Sequence, residues 1–499
     1  MLRWLRLSLL GLAGCTTPAS KSDGPGTTTP APGAYDVVEP DEPETDPPPP
    51  PPPPPPWGLD ARPVNTTCVI PTKPALSTTA NVTLEPAFPS LSFSRPTSIV
   101  MGPDDRWYVL ESEGTVLTFP NDPTTTETTV AMDIQDRVTG QLEGGGEMGL
   151  LGIAFHPEFA TNGFVYLSYT TTLADSSFQS NISRFTSTDG GATFEPASET
   201  VLFTLAQPTK NHNGGRIAFG PDDMLWIGFG DGGGYDYQAD APDPMWHYGK
   251  ILRIDVDGGD PYGIPADNPF ADGTEGRPEV WAGGFRNPWG WSVDPVTGEL
   301  WVADVGPSSW EEINLVQTGG NHGWPQYTGS ECRAPTEEEC DVPDRVDPIY
   351  SYAFGEGKAV IGGLVYRGSN IPALEGAYLF ADYISGWLRV LRRDPSTGAV
   401  TVTPLIEGLS ERISTFTTDA DGEVYVVTFS YTGTLQKLVT VPDPDADTGA
   451  GAPDGTAASA SQVFTAESAF RYLSALPSVA AVHLARDIGT PGAPIQAVE

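Results

Sequence analysis

Six times between Trp57 and about Val441 the chain repeats one short pattern: an acidic or glycine-containing turn, then a strand of alternating aromatic and aliphatic residues. The copies are Asp104-Asp105-Arg106-Trp107-Tyr108-Val109, Asn162-Gly163-Phe164-Val165-Tyr166-Leu167, Asp222-Asp223-Met224-Leu225-Trp226-Ile227, Thr297-Gly298-Glu299-Leu300-Trp301-Val302, Glu375-Gly376-Ala377-Tyr378-Leu379-Phe380 and Asp421-Gly422-Glu423-Val424-Tyr425-Val426. Their spacing leaves room for one four-stranded antiparallel sheet with loops per copy, which predicts an all-β, six-bladed β-propeller over 57–441. A β-sandwich rarely needs so many similar hairpins in one domain. With 56 Gly and 51 Pro there is too much turn chemistry for an all-α fold. The longest gaps fall between Trp226 and Leu379, so the largest loops are expected on the rim that surrounds the central channel, where propellers bind ligands.

Charge removes one class of function. Acidic residues number 65 against 26 basic ones, a formal net charge of −39, and such a chain repels a phosphate backbone. Nucleic acid is therefore not an expected partner. Only 18% of residues are charged while 38% are apolar, and Trp numbers 12, so a folded core is expected despite the acidity.

The two ends read differently from this core. Residues 1–14 carry Arg3 and Arg6 and then an apolar run too short to span a bilayer, which reads as an export signal. Its end, Leu12-Ala13-Gly14-Cys15, resembles the lipobox of bacterial lipoproteins, which implies a lipid anchor at Cys15 as the one link to a membrane. The location this implies is the bacterial cell envelope: outer membrane, periplasm or cell surface. From 15 to 56 the sequence is a Pro-rich, acidic spacer, and Pro47 to Pro56 would extend about 31 Å as polyproline II. Residues 442–499 form an acidic linker and a low-complexity tail.

Cysteine use agrees with export. Cys332 and Cys340 flank a hydrophilic stretch that can close as a disulfide loop, leaving Cys68 over, and the chain has no Cys-x-x-Cys-His for a haem of its own. Of the five histidines, His156 reads as a buried structural residue, stacking or turn roles suffice for His247 and His322, and His483 stands alone in the tail. His212 differs, because it lies in the polar loop Lys210-Asn211-His212-Asn213-Gly214-Gly215-Arg216 directly before the third strand signal. A neutral imidazole at a channel mouth can take a proton from a substrate hydroxyl. Two turns complete the set. Gly284-Phe285-Arg286-Asn287-Pro288-Trp289 offers a guanidinium and an amide to a planar ligand bearing carboxylates or carbonyls, and Ala303-Asp304-Val305-Gly306-Pro307 ends a strand in free backbone carbonyls of the kind hard cations take.

Taken in order, these motifs resemble the soluble, pyrroloquinoline-quinone-dependent aldose dehydrogenases of the glucose/sorbosone dehydrogenase type. The resemblance runs from about Leu91 to Leu438 through Gly146-Glu147-Met148-Gly149-Leu150, His212-Asn213-Gly214-Gly215-Arg216, Gly284-Phe285-Arg286-Asn287-Pro288, Asp304-Val305-Gly306-Pro307, Glu312-Ile313-Asn314 and Gly319-Gly320-Asn321-His322-Gly323-Trp324-Pro325. It implies a six-bladed propeller, PQQ and Ca2+ as cofactors, a sugar substrate oxidised at C1 to its lactone, and a separate electron acceptor. It also implies His212 as catalytic base, Glu147, Arg286, Asn287 and Arg412 as cofactor-binding residues, and the carbonyls of Gly306 and Pro307 as calcium ligands. Several positions depart from the family: Glu147 stands for a Gln, Asn211 for an Asp and Trp289 for a Gln. A Lys is replaced by Ile384 or Ser385, and an Arg pair is reduced to Arg412. Fewer cations imply weaker quinone binding, and Arg367 is an unplaced candidate to compensate. The same domain occurs in the hedgehog-interacting proteins, which implies an alternative: a non-catalytic propeller acting as a cell-surface binding module.

Overall fold

The computed structural model describes residues 80–441 apart from 141–145, 235–239, 334–339 and 343. The export signal at 1–14, Cys15, the 15–56 spacer, the expected start of the propeller at Trp57, Cys68 and the 442–499 tail all lie outside the described residues. Among the described residues no helix is long and apolar enough to cross a membrane.

Six four-stranded antiparallel sheets form, one for each repeated signal. Blade 1 comprises Pro96–Met101, Arg106–Glu111, Thr115–Pro120 and Thr129–Asp133, and blade 2 comprises Leu150–Phe155, Phe164–Thr172, Phe178–Thr186 and Glu195–Gln207. Blade 3 is Ile217–Phe219, Leu225–Phe229, Lys250–Ile254 and Val280–Gly283; blade 4 is Gly290–Val293, Leu300–Asp304, Trp310–Leu315 and Tyr350–Ala353. Blade 5 takes Val360–Val365, Tyr378–Asp382, Trp387–Arg393 and Val400–Ile406. In blade 6, Ile413–Thr418, Val424–Thr428 and Leu435–Thr440 are completed from the N-terminal side by Val82–Pro86, paired antiparallel from Val82 with Thr440 to Pro86 with Gln436.

In every blade the repeated signal is the second strand, and the residue that turns the chain into it has positive φ: Asp105, Gly163, Asp223, Gly298, Gly376 and Gly422 lie between 60° and 77°. Only Gly, or Asp and Asn with their short polar side chains, enter that left-handed region cheaply, which is why each turn is spelled with those residues. The second strands are apolar on both faces because each blade is packed on two sides. Six clusters of buried side chains result, one for each pair of adjacent blades. Phe119 and Trp107 meet Tyr425 and Val427 between blades 1 and 6, and Trp226 and Ile251 meet Trp291 and Val302 between blades 3 and 4. The core is therefore a ring of six interfaces around an axis lined by the first strands.

Those first strands are the part that positions the site. In blades 1, 2, 5 and 6 the pairing shifts register within the first residues of the strand, between Pro96 and Ser98, Leu150 and Gly152, Ile361 and Leu364, and Ile413 and Thr415. A bulge re-aims the side chains beside it. Where blades 4 and 5 touch, a Cβ on Gly290 would come within 2.6 Å of the Gly362 backbone, so two glycines let the backbones meet at the axis. The disulfide expected from sequence joins Cys332 and Cys340.

Candidate active site

His212 sits on the connection from the last strand of blade 2 to the first of blade 3, at φ 55°, followed by Gly214 at 62° and Gly215 at 98°. A Cβ on Gly214 would lie 2.4 Å from the Gly228 carbonyl oxygen, so the loop packs on the neighbouring strand only as glycine. This turn delivers the imidazole to Asp231: Nδ1 lies 2.6 Å from Oδ1 of that fully buried carboxylate. Asp231 is itself held from three sides. The Gly233 N–H donates to Oδ1 at 2.8 Å, Trp324 Nε1 donates to Oδ2 at 2.9 Å, and the Asp231 N–H donates to the Arg286 carbonyl at 2.8 Å. A carboxylate on Nδ1 fixes the proton there and leaves Nε2 with its lone pair.

Glu147 ties the histidine loop to blade 4. One carboxylate oxygen accepts the His212 backbone N–H at 2.7 Å, and the Asn287 amide donates to both oxygens at 3.1 and 3.2 Å. Asn287 and Arg286 are placed in turn by Asp304 at the end of the second strand of blade 4, whose two oxygens accept their backbone N–H groups at 2.6 and 2.8 Å. Burial pushes the Asp304 carboxyl up from the ordinary range, against the pull of those two N–H donors. Arg286 Nη1 donates to the Val305 and Gly306 carbonyls at 2.8 and 3.2 Å, so the guanidinium lies directly against one of the two carbonyls singled out for calcium. The Gly306 N–H reaches Glu311, whose carboxyl burial raises to about 8. Among the described residues no cluster of three or more His, Cys, Asp or Glu side chains could hold a metal on its own.

Beside this network opens a cleft of about 910 Å³, counting its mouth, lined by Glu147, Asn287, Val305, Trp289, Tyr383 and Phe429 among others. Its lining combines the aromatic Trp289, Tyr383 and Phe429 with the polar Glu147 and Asn287. Trp289 reaches across to blade 6, where Nε1 donates to the Ser414 carbonyl at 3.2 Å. Arg412 stands next to the cleft with its guanidinium 5.1 Å from the ring centre of Tyr383. Arg286 Nε and Asn287 Oδ1 are buried without a partner among the described residues. Buried polar groups are normally satisfied, and an orphan on the cleft lining at Asn287, with a second on the neighbouring residue, points to a polar occupant.

The structure thus brings together His212, Glu147, Arg286, Asn287 and Gly306, and sets Arg412 at the rim. Pro307 follows Gly306 in the same turn. Arg367 does not belong with them: it lines the opposite end of the axial channel and is neutralised by Asp294. Ile384 is exposed, its N–H and that of Ser385 both taken by Asp382. His156 is buried, with Nε2 3.1 Å from Asp257 and Nδ1 accepting the Glu158 N–H, and His322 stacks on Phe285 at 4.6 Å, as their structural readings expect. Sequence reasoning missed Asp231. Its signal was an acid inside Gly230-Asp231-Gly232-Gly233-Gly234, two residues past the end of a blade's second strand, as Asp304 ends the second strand one blade later.

The model of the family described as Glucose / Sorbosone dehydrogenase matches residues 93–437. Quinoprotein glucose dehydrogenase B of Acinetobacter calcoaceticus is 30% identical over 260 residues, which cover 48% of this chain and 52% of that protein. The Hedgehog-interacting protein of Mus musculus is 29% identical over 372 residues, covering 69% of this chain and 51% of that protein. The chain spans about half the length of these two curated relatives. The PQQ-bound aldose sugar dehydrogenase of Streptomyces coelicolor aligns with a TM-score of 0.58 over 73% of this chain and 99% of its own, at 23% identity, a likeness of fold.

Proposed function

The chain belongs to the glucose/sorbosone dehydrogenase family, and from that premise we propose that it oxidises an aldose at C1 to the lactone, using pyrroloquinoline quinone and calcium and passing electrons to a separate acceptor. The observation that carries this reading is the His212–Asp231 pair, tied through Glu147 to a cleft lined by Asn287, with Asn287 Oδ1 and the adjacent Arg286 Nε both buried without partners among the described residues. When bound, the quinone supplies the two-electron centre that takes the C1 hydrogen as hydride, chemistry no side chain provides. His212 Nε2 accepts the proton of the C1 hydroxyl. Asp231 stabilises the imidazolium that forms and keeps the ring in the orientation that aims Nε2 outward. Arg286 and Asn287 would hold the quinone's carbonyl or carboxylate oxygens, Arg412 would add a second cation at the rim, and the carbonyls of Gly306 and Pro307 would hold calcium. Trp289, Tyr383 and Phe429 offer apolar walls to a flat aromatic group and keep bulk water from it.

Residues 1–14 and Cys15 support export and lipid anchoring in a bacterial envelope, with the 15–56 spacer holding the propeller away from the membrane. The alternative is a propeller kept as a binding module. What favours it is the carboxylate of Glu147 in the cleft lining, which opposes an anionic cofactor, together with the match to the Hedgehog-interacting protein. Calorimetric titration of the quinone into the protein with calcium present separates the two. A saturable one-to-one heat is expected, and its absence transfers the assignment to the binding module.

A further inference from the structure

A narrow axial cavity and a wider chamber beyond it lie along the first strands, and their shared wall carries a cation that no carboxylate neutralises among the described residues. Arg216 lies at the head of the first strand of blade 3 and borders both the narrow axial cavity under Trp289 and Ser414 and the wider chamber that opens on the far side. Among the described residues its guanidinium makes one hydrogen bond, from Nη1 to the neutral Thr415 hydroxyl at 3.0 Å, and its guanidinium carbon lies 6.0 Å from the ring centre of Trp291. Among the described residues no carboxylate pairs with it. Burial pushes the guanidinium down to about 10, with only the Tyr378 hydroxyl in electrostatic reach, so it stays charged at neutral pH.

An unpaired charge withdrawn from bulk water is costly unless a counter-charge accompanies it. The other guanidinium of the far chamber, Arg367, has its counter-charge in Asp294, and Arg216 has none of its own. A hydroxyl on the same chamber wall, Ser292 Oγ, is buried without a hydrogen-bond partner. We propose that Arg216 binds a small monovalent anion of the halide class in the axial channel, on the side facing away from the His212 cleft, with the Ser292 hydroxyl as a further donor. One unbalanced positive charge matches one negative charge, so a divalent anion would leave an excess. The surrounding wall, with Phe219, Pro295, Val365 and Phe416, suits a compact and weakly hydrated ion.

Bromide tests this, because it substitutes for chloride and scatters anomalously. Crystals of the wild-type protein grown in bromide are expected to show an anomalous peak within hydrogen-bond distance of Arg216. In solution, replacing gluconate by chloride at fixed ionic strength is expected to raise the melting temperature saturably, as a ligand of the folded state does. Arg216→Met should lose that rise and Arg216→Lys should keep part of it. Bromide found only at surface cations, or a chloride-dependent rise unchanged in Arg216→Met, overturns the proposal. Should the Met variant fail to fold, the wild-type diffraction experiment still decides. The quinone and sugar play no part in either measurement, so failure here leaves the dehydrogenase reading standing.

Discussion

The imidazole of His212 and the carboxylate of Asp231 meet at 2.6 Å across the junction between the loop entering blade 3 and the end of that blade's second strand. Neither residue is set by its neighbours in sequence alone. The left-handed turn at His212, the two N–H groups that donate to the Asp231 carboxylate and the bond from its own N–H to the Arg286 carbonyl hold the pair, so the orientation of the base is built into the blade before any substrate arrives.

Asp231→Asn is therefore expected to lower turnover by roughly 10² to 10⁴-fold while leaving quinone affinity near its wild-type value, because an amide no longer holds the proton on Nδ1. Turnover against pH and calorimetric quinone binding, measured on the same preparation, check this. A matching loss of binding would mean that the pair supports the cofactor and not the proton transfer.

Arg286→Ala should act the other way round. The guanidinium contact is made in the ground state, and a charged hydrogen bond is worth about 1.5 to 3 kcal/mol, so quinone affinity should fall by one to two orders of magnitude. Calorimetry reads it directly. An unchanged dissociation constant would place the quinone away from Arg286.

At Glu147 the expected direction is a gain. Glu147→Gln keeps an oxygen to accept the His212 N–H but removes a negative charge from the cleft lining, so a tricarboxylate cofactor should bind more tightly. Weaker binding in this variant would show that the carboxylate supports the site through its link to Asn287.

His322 gives the fold a weakness in acid. Burial lowers its imidazole to about 3, whereas in the unfolded chain it titrates near 6.5. Between those values the unfolded chain binds the extra proton, so this stability is intact above about pH 6.5 and drains away as pH falls toward 3. His322→Phe keeps an aromatic ring on Phe285 and has no proton to gain, so its melting temperature should fall less between pH 7 and pH 4. Parallel curves for wild type and variant would refute this.

The ring closes through a strand the repeat did not announce. Val82–Pro86 is paired along its whole length with Leu435–Thr440 and completes blade 6, so a chain shortened to 80–441 should melt cooperatively while one shortened to 87–441 should melt lower or aggregate from the bared edge. Equal melting temperatures would mean that the closing strand is dispensable.

The blades were legible because each second strand is buried on two sides and entered through a left-handed turn, leaving both an apolar and a turn signature in the sequence. Val82–Pro86 lacks them: Glu85 and Pro86 are exposed, and its partner lies some 350 residues away. The same contrast holds at the site. Arg286, Asn287 and His212 stood in distinctive turns, whereas Asp231 and Asp304 act from strand ends through contacts that only the folded blades create. Arg367, open as a compensating cation in the sequence, proved to face the other end of the channel.

The claim that His212 is the base of a quinone-dependent sugar oxidation is tested most directly by a single turnover. Protein loaded with the quinone and calcium is mixed with excess aldose, and the cofactor's absorbance is followed in wild type and in His212→Ala. The account predicts rapid bleaching with one lactone formed per bound quinone in the wild type, and a variant that binds the quinone equally well but bleaches roughly 10² to 10⁴ times more slowly. Equal bleaching rates in the two proteins, or a loaded wild type that no aldose bleaches, would contradict it.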